Sequence, residues 1–325
     1  MRLAALLVLA LAAAFALSIA FGETMLSLGQ YAQALSDPGS PPGEILFAIR
    51  APRGACAALV GAALGLAGAV MQGLLRNPLA EPGVLGVSAW AGCAAALAIT
   101  LGLGAMAGAL ETAALLGALG AGGVVAVIAA RFREPETLIL FGIALAALGG
   151  ALTALVFNLS PSPVTTAEIL SWLQGSVANR DWSDLPPALA PMGLGAALCL
   201  YAAEGLRMLT LGDESAAMSG LPMARLRVAA LVGAALLTGA SVSLAGVIGF
   251  VGLAAPHLVR GAVSDDPART LAPSALAGAI LLTLADLLAR VIPTEEELRL
   301  GVVTALFGAP LFALVAWRAS RSWRA

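Results

Sequence analysis

The residues able to do chemistry in this chain are few, and their spacing excludes most chemistries. There is one histidine, His257, and there are three cysteines, Cys56, Cys93 and Cys199, none in a Cys-x-x-Cys pair. A metal site or a disulfide framework needs clustered ligands. The cysteines therefore read as small hydrophobes in packed helices, and His257 as a capping or packing residue. Lysine is absent. That excludes a Walker-A phosphate loop, whose lysine holds the phosphates, and any Schiff-base mechanism. No paired carboxylates or His/Cys clusters suit an intramembrane enzyme. The expectation is a chain that binds no metal or cofactor and leaves any ATP hydrolysis to another polypeptide.

What remains is arginine, carboxylate and a great deal of apolar surface. The 325 residues are 60% hydrophobic and 11% charged, far from the roughly 45–50% apolar and about 25% charged of soluble domains. This is the composition of an all-α integral membrane protein, and nothing in it suggests nucleic-acid binding. A bilayer core of about 30 Å needs about 20 apolar residues per helix. Such runs fall at 3–22, 54–75, 83–103, 112–130, 137–158, 186–206, 229–248, 271–289 and 300–317. A shorter run, 250–259, is broken by Pro256-His257. Counting it gives ten spans in one polytopic domain, 1–325. The first run is read as a retained helix rather than a signal peptide, being long enough to span.

Arginine placement sets the orientation. With the N-terminus inside, Arg2, Arg76, Arg131, Arg133, Arg207, Arg225, Arg227, Arg260, Arg269, Arg318, Arg321 and Arg324 lie on the cytoplasmic side, as do both termini. Only Arg50, Arg53, Arg180, Arg290 and Arg299 lie outside. Two readings of that outer set stand side by side. Each arginine pairs locally, as Asp286 and Arg290 are placed to do at i,i+4, or together they form a basic rim for an acidic partner. The acids cluster at span ends and loops, with Glu111 and Asp286 near outer ends and Glu204 near an inner one. No carboxylate falls at a span midpoint, which argues against an ion-coupled secondary carrier.

The elements that position these residues show an internal repeat. Gly61 to Gly68 (GAALGLAG) matches Gly239 to Gly246 (GASVSLAG) at five of eight positions, and the same offset of 178 brings Pro78 onto Pro256. Leu140 to Leu148 matches Leu306 to Leu314 at six of nine. Two halves, roughly 50–158 and 228–318, would enter the membrane from opposite sides. That is the inverted repeat of many transporters, and it favours a moving machine over a passive scaffold. Glycines at Gly61, Gly65, Gly246, Gly249 and Gly252 allow close helix approach in lipid. Asn77-Pro78-Leu79 ends one span and Pro82-Gly83 opens the next. The longest cytoplasmic connection, 210–225, has Asp213 and Glu214 where a helix N-terminus favours acid. A short helix over Ser215 to Ser219 follows, stopped by Gly220 and Pro222. It reads either as an ordinary loop or as a rigid docking knob.

These segments resemble the FecCD-type permeases of ABC importers, the group that includes cobalamin, haem and iron-siderophore permeases. The resemblance runs along nearly the whole chain and is weakest over the first 45 residues. It is carried by Arg50-Ala-Pro-Arg53, by Gly61 to Gln72, by Asn77 to Ser88 (NPLAEPGVLGVS) and by Trp172-Leu-Gln-Gly-Ser176. Gly249 to His257 (GFVGLAAPH) and Leu300 to Pro310 complete it. It implies a homodimer with a central pathway, two cytoplasmic ABC ATPase subunits carrying ATP and Mg, and a periplasmic substrate-binding protein. The setting would be a bacterial inner membrane. Arg50, Arg53 and Arg290 match arginines that pair with acids on the binding protein, with Asp286 orienting Arg290. The loop residues Leu211, Gly212, Asp213, Glu214, Ser215, Ala216, Ala217, Met218, Gly220, Leu221 and Pro222 match the helices that couple to the ATPase. Asn77 and Leu79 match a cytoplasmic gate. A second gate element carries hydroxyl residues in the cobalamin permease, but here that stretch is Glu134-Pro135-Glu136. Residues 164–176 would form a short outer helix. On cargo, Glu81-Pro82-Gly83 resembles the cobalamin permease, while Trp172 to Ser176 is closer to iron-chelate members. An iron chelate, siderophore or haem, is expected ahead of cobalamin.

Overall fold

In the computed structural model of the protein, residues 2–132, 134–263, 266–294 and 296–322 are described. Among them the chain is helical throughout, with no strand. The helices are α1 (Arg2–Ala20), α2 (Leu28–Ser36), α3 (Pro41–Glu44), α4 (Ala51–Leu75), α5 (Val87–Thr100), α6 (Ala109–Arg131) and α7 (Pro135–Asn158). They continue with α8 (Pro163–Leu173), α9 (Leu185–Tyr201), α10 (Ala203–Leu209), α11 (Asp213–Met218), α12 (Met223–Ala245), α13 (Val251–Val263), α14 (Pro267–Val291) and α15 (Leu300–Ser322). Below, the two ends of the bundle are called outer and inner after the orientation expected from the arginines. Arg133 and Arg324 of the expected inner set lie outside the described residues, as do the side chains of Arg318 and Arg321.

Six helices are long and apolar enough to cross a bilayer, and the α9–α10 pair, bent by 42°, makes a seventh. The total of ten needs α5, α13 and α15 as well. The first two hold only 14 and 13 residues, and in α15 the apolar stretch is Leu300–Leu314. Caps explain several boundaries. Ser162 accepts from the Thr165 N–H at 3.1 Å ahead of Pro163, and Asp266 accepts from Ala268 N–H at 3.0 Å ahead of Pro267. Both follow the preference for a polar N-cap followed by proline at the first helical position. Residues 164–176 were expected as an outer helix, and α8 fills most of that range.

The core is built by α4 and α12, the most enclosed of the long helices. Helix α4 packs most extensively on α14, and α12 on α6. If the halves correspond as α4 to α12 and α6 to α14, these two pairs are one interaction made twice, as an internal repeat requires. Glycine makes both crossings possible. A Cβ on Gly61 would lie 2.2 Å from the Gly278 carbonyl oxygen, and one on its repeat counterpart Gly239 would lie 2.6 Å from the Ala118 methyl. In lipid no hydrophobic force drives helices together, so association rests on such close packing.

The expected break at Pro256-His257 is not where the chain breaks. Pro256 lies inside α13, and the interruption falls earlier, at 246–250, between Gly246 (φ 71°) and Phe250 (φ 67°). The residue equivalence through Pro78 and Pro256 therefore fails beyond Gly246, because α4 runs on to Leu75 where α12 stops at Ala245. The helix tolerates Pro256 because it is short and buried on its proline side. The Gly252 carbonyl, denied its usual N–H donor by Pro256, packs within 1.8 Å of where a Cβ on Gly68 would stand. Only a glycine lets α4 approach that carbonyl.

Candidate functional site

Three groups of residues concern function: one at the outer end, one at the inner end and one between them. The outer group starts with a local irregularity. Residues Ile45–Arg50 form a π-helical segment, with the Ala51 N–H bonding Leu46 O, and so join α3 to α4 without a break. Such bulges commonly mark functional positions. Arg50 ends the segment, and its side chain turns onto α1. It donates to the carbonyls of Ile19 (3.1 Å), Ala20 (2.9 Å) and Thr24. A guanidinium so placed satisfies the orphan carbonyls of a helix C-terminus, and Arg50 is buried.

Arg53, one turn on, meets two carboxylates. Its Nε and Nη2 donate to Asp286 Oδ1 at 3.0 and 2.7 Å, and its Nη1 donates to Glu297 Oε2 at 3.0 Å, with a second Nη2 bond to the same glutamate. Asp286, 1% exposed, also pairs with Arg290 at 3.1 Å. Arg290 in turn donates to the Ser18 hydroxyl at 2.7 Å and the Ser18 carbonyl at 3.2 Å. Of the expected docking arginines, Arg53 and Arg290 thus share Asp286 and tie α1, α4, α14 and Glu297 together, while Arg50 binds the end of α1 separately. All three side chains are largely buried and engaged within the chain. The local pairing of Asp286 with Arg290 is present, but the stronger theme is cross-helix. Arg180 likewise pairs with Glu111 at 3.3 Å and Asp184 at 3.5 Å.

At the inner end the loop expected to carry a short helix does so, starting two residues early. Helix α11 begins on the acidic pair Asp213 and Glu214, and Gly220 follows at φ 78°. Leu211 and Met218 are exposed, at 65% and 84%. Asp213 bridges two arginines. Its carboxylate accepts from Arg76 Nη2 at 2.6 Å and from Arg227 Nη2. Arg76 sits in the left-handed region (φ 48°) as the C-cap of α4, immediately before Asn77. The turn that follows is held by its own asparagine: Asn77 Oδ1 accepts from Leu79 N–H at 2.9 Å. The positions expected to couple and to gate, 134 residues apart at Asn77 and Leu211, are thereby joined through the Arg76–Asp213 ion pair. The second gate stretch, Glu134-Pro135-Glu136, opens α7 with Pro135 at its first position.

Between the ends, two interruptions meet. After Asn77 the chain turns back into the bundle, and Gly86 (φ 79°) lies against Leu145 and Ala146, well inside α7. Helix α5 therefore starts at depth, which explains its 14 residues against the expected run 83–103. The Glu81 carboxylate lies beside the backbone of Phe250, just ahead of α13. Three bonds tie this turn and the end of α4 to α13. His257 Nε2 bonds the Pro78 carbonyl at 2.8 Å, Arg260 donates to Gln72 Oε1 at 2.8 Å, and Gln72 donates to Leu253 O at 3.4 Å. The capping or packing role read for His257 fits this bond. Glu81 stood out in the sequence only for its likeness to the cobalamin permease; its place at depth was not legible because it lies between hydropathic runs and a turn sets it. Glu297 escaped sequence reasoning; the acidic run Glu295-Glu296-Glu297 on an outer loop was its one available signal.

No group of three or more metal-ligating side chains gathers among the described residues. The cysteines are separate and buried.

Comparison with known proteins agrees with the architecture. A family model described as the FecCD transport family matches residues 9–318. The vitamin B12 import system permease BtuC of Escherichia coli O157:H7 is 40% identical over 312 residues, covering 95% of this chain and 92% of that protein. An uncharacterized ABC transporter permease of Bacillus subtilis, YvrB, is 39% identical over 287 residues, covering 86% and 81%. Among solved structures, a transporter described as of the metal-chelate ABC type, in an inward-facing conformation, is similar with a TM-score of 0.87. It is 31% identical, with 98% of this chain and 99% of that one covered. PsaBC from Streptococcus pneumoniae shares the fold at a TM-score of 0.51 and 17% identity.

Proposed function

Because the chain belongs to the FecCD transport family, and is thereby a multi-pass ABC importer permease of the FecCD/BtuC type, we propose that it carries a bulky metal chelate across a bacterial inner membrane. It would do so as a homodimer with both termini cytoplasmic. The observation that carries the mechanism is the pair of ion networks at opposite ends of α4. The outer one, Arg53 and Arg290 with their carboxylates and Arg50 beside them on the α1 carbonyls, would receive an acidic periplasmic binding protein. The inner one would take the push of a cytoplasmic ATPase seated on α11. Arg76, fixed to Asp213, then passes displacement of α11 to Asn77 and Leu79. The protein would catalyse no reaction and bind no cofactor; ATP and Mg would belong to the ATPase. A second copy would cover part of the apolar sides of α7 and α15, where Leu140, Ile143, Leu306 and Phe307 are exposed.

An iron chelate, siderophore or haem, is the cargo supported by Trp172-Leu-Gln-Gly-Ser176. Cobalamin is a second reading, favoured by the vitamin B12 import permeases among relatives at 39–40% identity. The experiment is reconstitution of the chain with its ATPase and binding protein in vesicles. Uptake of radiolabelled cobalamin is then compared with that of ferric siderophore and haem. ATP-dependent accumulation of one chelate is expected. Accumulation by vesicles holding this chain alone would overturn the importer mechanism, and exclusive uptake of cobalamin would overturn the iron-chelate reading.

A further inference from the structure

The outer network raises a difficulty for docking: a partner must reach arginines that are already bonded. The three differ in how replaceable their partners are. Arg50 is bonded to main-chain carbonyls of the α1 terminus. Arg290 faces Asp286 and Ser18, with its side chain 5% exposed and that of Asp286 1%. Arg53 alone is shared between a buried anion, Asp286, and an accessible one, Glu297, whose side chain keeps 34% of its exposure. Glu297 lies on the 292–299 stretch, which has no helix among its described residues and leads straight into α15. Its neighbour Glu296 is exposed as well.

We propose that Glu297 is a stand-in for the partner's carboxylate, occupying Arg53 while nothing is docked and yielding it when an acidic protein surface arrives. This rests on the docking reading given above and adds the residue that would control it. The physical case is one of charge balance. Two arginines, Arg53 and Arg290, face two carboxylates, Asp286 and Glu297, so the pair of pairs is neutral. Exposing a bare Arg53 between dockings would leave a partly buried cation with half its bonds, which is unfavourable. Exchange of one carboxylate for another keeps the guanidinium satisfied throughout, while Glu297 goes to water from a position already a third exposed to it. Bidentate Arg–carboxylate geometry suits such an exchange, because either carboxylate can fill the same fork. Departure of Glu297 also frees the stretch that ends at Leu300. The Leu300 N–H bonds Gly175 O at 3.0 Å, and the Gly301 N–H bonds Gln174 O at 3.0 Å, so docking at Arg53 would be felt where α15 starts.

The test compares Glu297→Gln with Glu296→Gln in the full-length chain held in nanodiscs, using the binding protein that supports uptake in the reconstitution above. Both variants remove one negative charge from the outer face, so general repulsion of an acidic partner falls equally. Only Glu297→Gln removes the competitor. A group that fills a site nine-tenths of the time lowers apparent affinity about tenfold, so Glu297→Gln should dock about tenfold more tightly than Glu296→Gln. Glu297→Asp, charged but too short to keep both bonds, should fall between wild type and Glu297→Gln. In the Arg53→Gln background the gain should vanish. A spin label at Thr294→Cys should become more mobile in Glu297→Gln without any partner and stay as in wild type in Glu296→Gln. Equal or weaker docking by Glu297→Gln relative to Glu296→Gln would overturn the proposal, as would a gain that survives Arg53→Gln. If the binding protein supports uptake yet wild type, Arg53→Gln and Arg290→Gln all bind it equally, the docking reading itself fails, a result distinct from the first two.

Discussion

The two ion networks on α4 share one design and differ in their surroundings. At the outer end Asp286 stands between Arg53 and Arg290; at the inner end Asp213 stands between Arg76 and Arg227. In each, one carboxylate joins two guanidiniums from different parts of the chain. The Asp286 side chain is 1% exposed and the Asp213 side chain 37%. Water and salt reach the second and not the first. A buried anion between two cations cannot leave without stranding them, so the outer trio fixes α1, α4 and α14 as one body. An exposed anion is stabilised almost as well by solvent, so the inner trio is a joint that can open. The same chemistry makes a clamp at one end and a hinge at the other.

The largest effect should come from breaking the clamp. Asp286→Asn keeps the shape but leaves Arg53 and Arg290 without their buried counter-charge, and removing one partner of a buried pair costs about 3–5 kcal/mol. Thermal unfolding in detergent should show a large loss of stability, with little monodisperse protein recovered. A variant as stable as wild type would mean the outer trio is not a clamp. Next in size is Gly61→Val, which strikes the crossing beneath the clamp. A Cβ at Gly61 meets the Gly278 carbonyl oxygen at 2.2 Å, so α4 and α14 must separate, at a cost of about 1–3 kcal/mol or more. The same substitution at Gly239 meets a methyl group at 2.6 Å and should cost less. A reversed order of melting temperatures would break the equivalence drawn between the two crossings.

Much of this architecture was legible in the residues, and the part that was not has a common cause. Apolar runs found the long helices because lipid selects for length and hydropathy alone. The short helix within 210–225 was legible because acid at the start, and glycine and proline at the end, are local signals. The break in the second half was misplaced because Pro256 is a strong local signal overruled by packing: α13 continues through it, and the interruption falls at Gly246 to Phe250. The arginines at 50, 53 and 290 were found, and Asp286 beside Arg290 with them, but their other partners were not. Ser18, Glu297 and the α1 carbonyls lie tens to hundreds of residues away in sequence, and no local pattern connects them. Glu81 shows the same limit, since its depth is fixed by Gly86 meeting α7.

The hinge should respond differently from the clamp. Asp213→Asn keeps the start of α11 and removes the charge; its pair with Arg76 is exposed and worth about 0–1 kcal/mol, while the Arg227 side chain is only 10% exposed, so the melting temperature should fall, but by less than in Asp286→Asn. Uptake is another matter if Arg76 carries motion to Asn77. Transport per ATP hydrolysed should fall about tenfold, within the usual range of coupling energies, while the ATPase still co-purifies. Wild-type coupling in this variant would show that the Arg76–Asp213 pair transmits nothing.

The smallest effect separates the two ends without any mutation of charge. Raising salt from about 0.1 M to about 1 M shortens the Debye length from about 10 Å to about 3 Å and weakens exposed pairs far more than buried ones. A spin label at Ala217→Cys on α11 should gain mobility as Asp213 loosens from Arg76 and Arg227. A label at Leu288→Cys, on α14 beside Asp286, should not change, because its network lies where ions do not penetrate. Equal mobility changes at both sites would mean that salt acts on the whole bundle and that burial does not distinguish the networks. Movement at Leu288 alone would invert the assignment, making the outer trio the joint and the inner one the clamp.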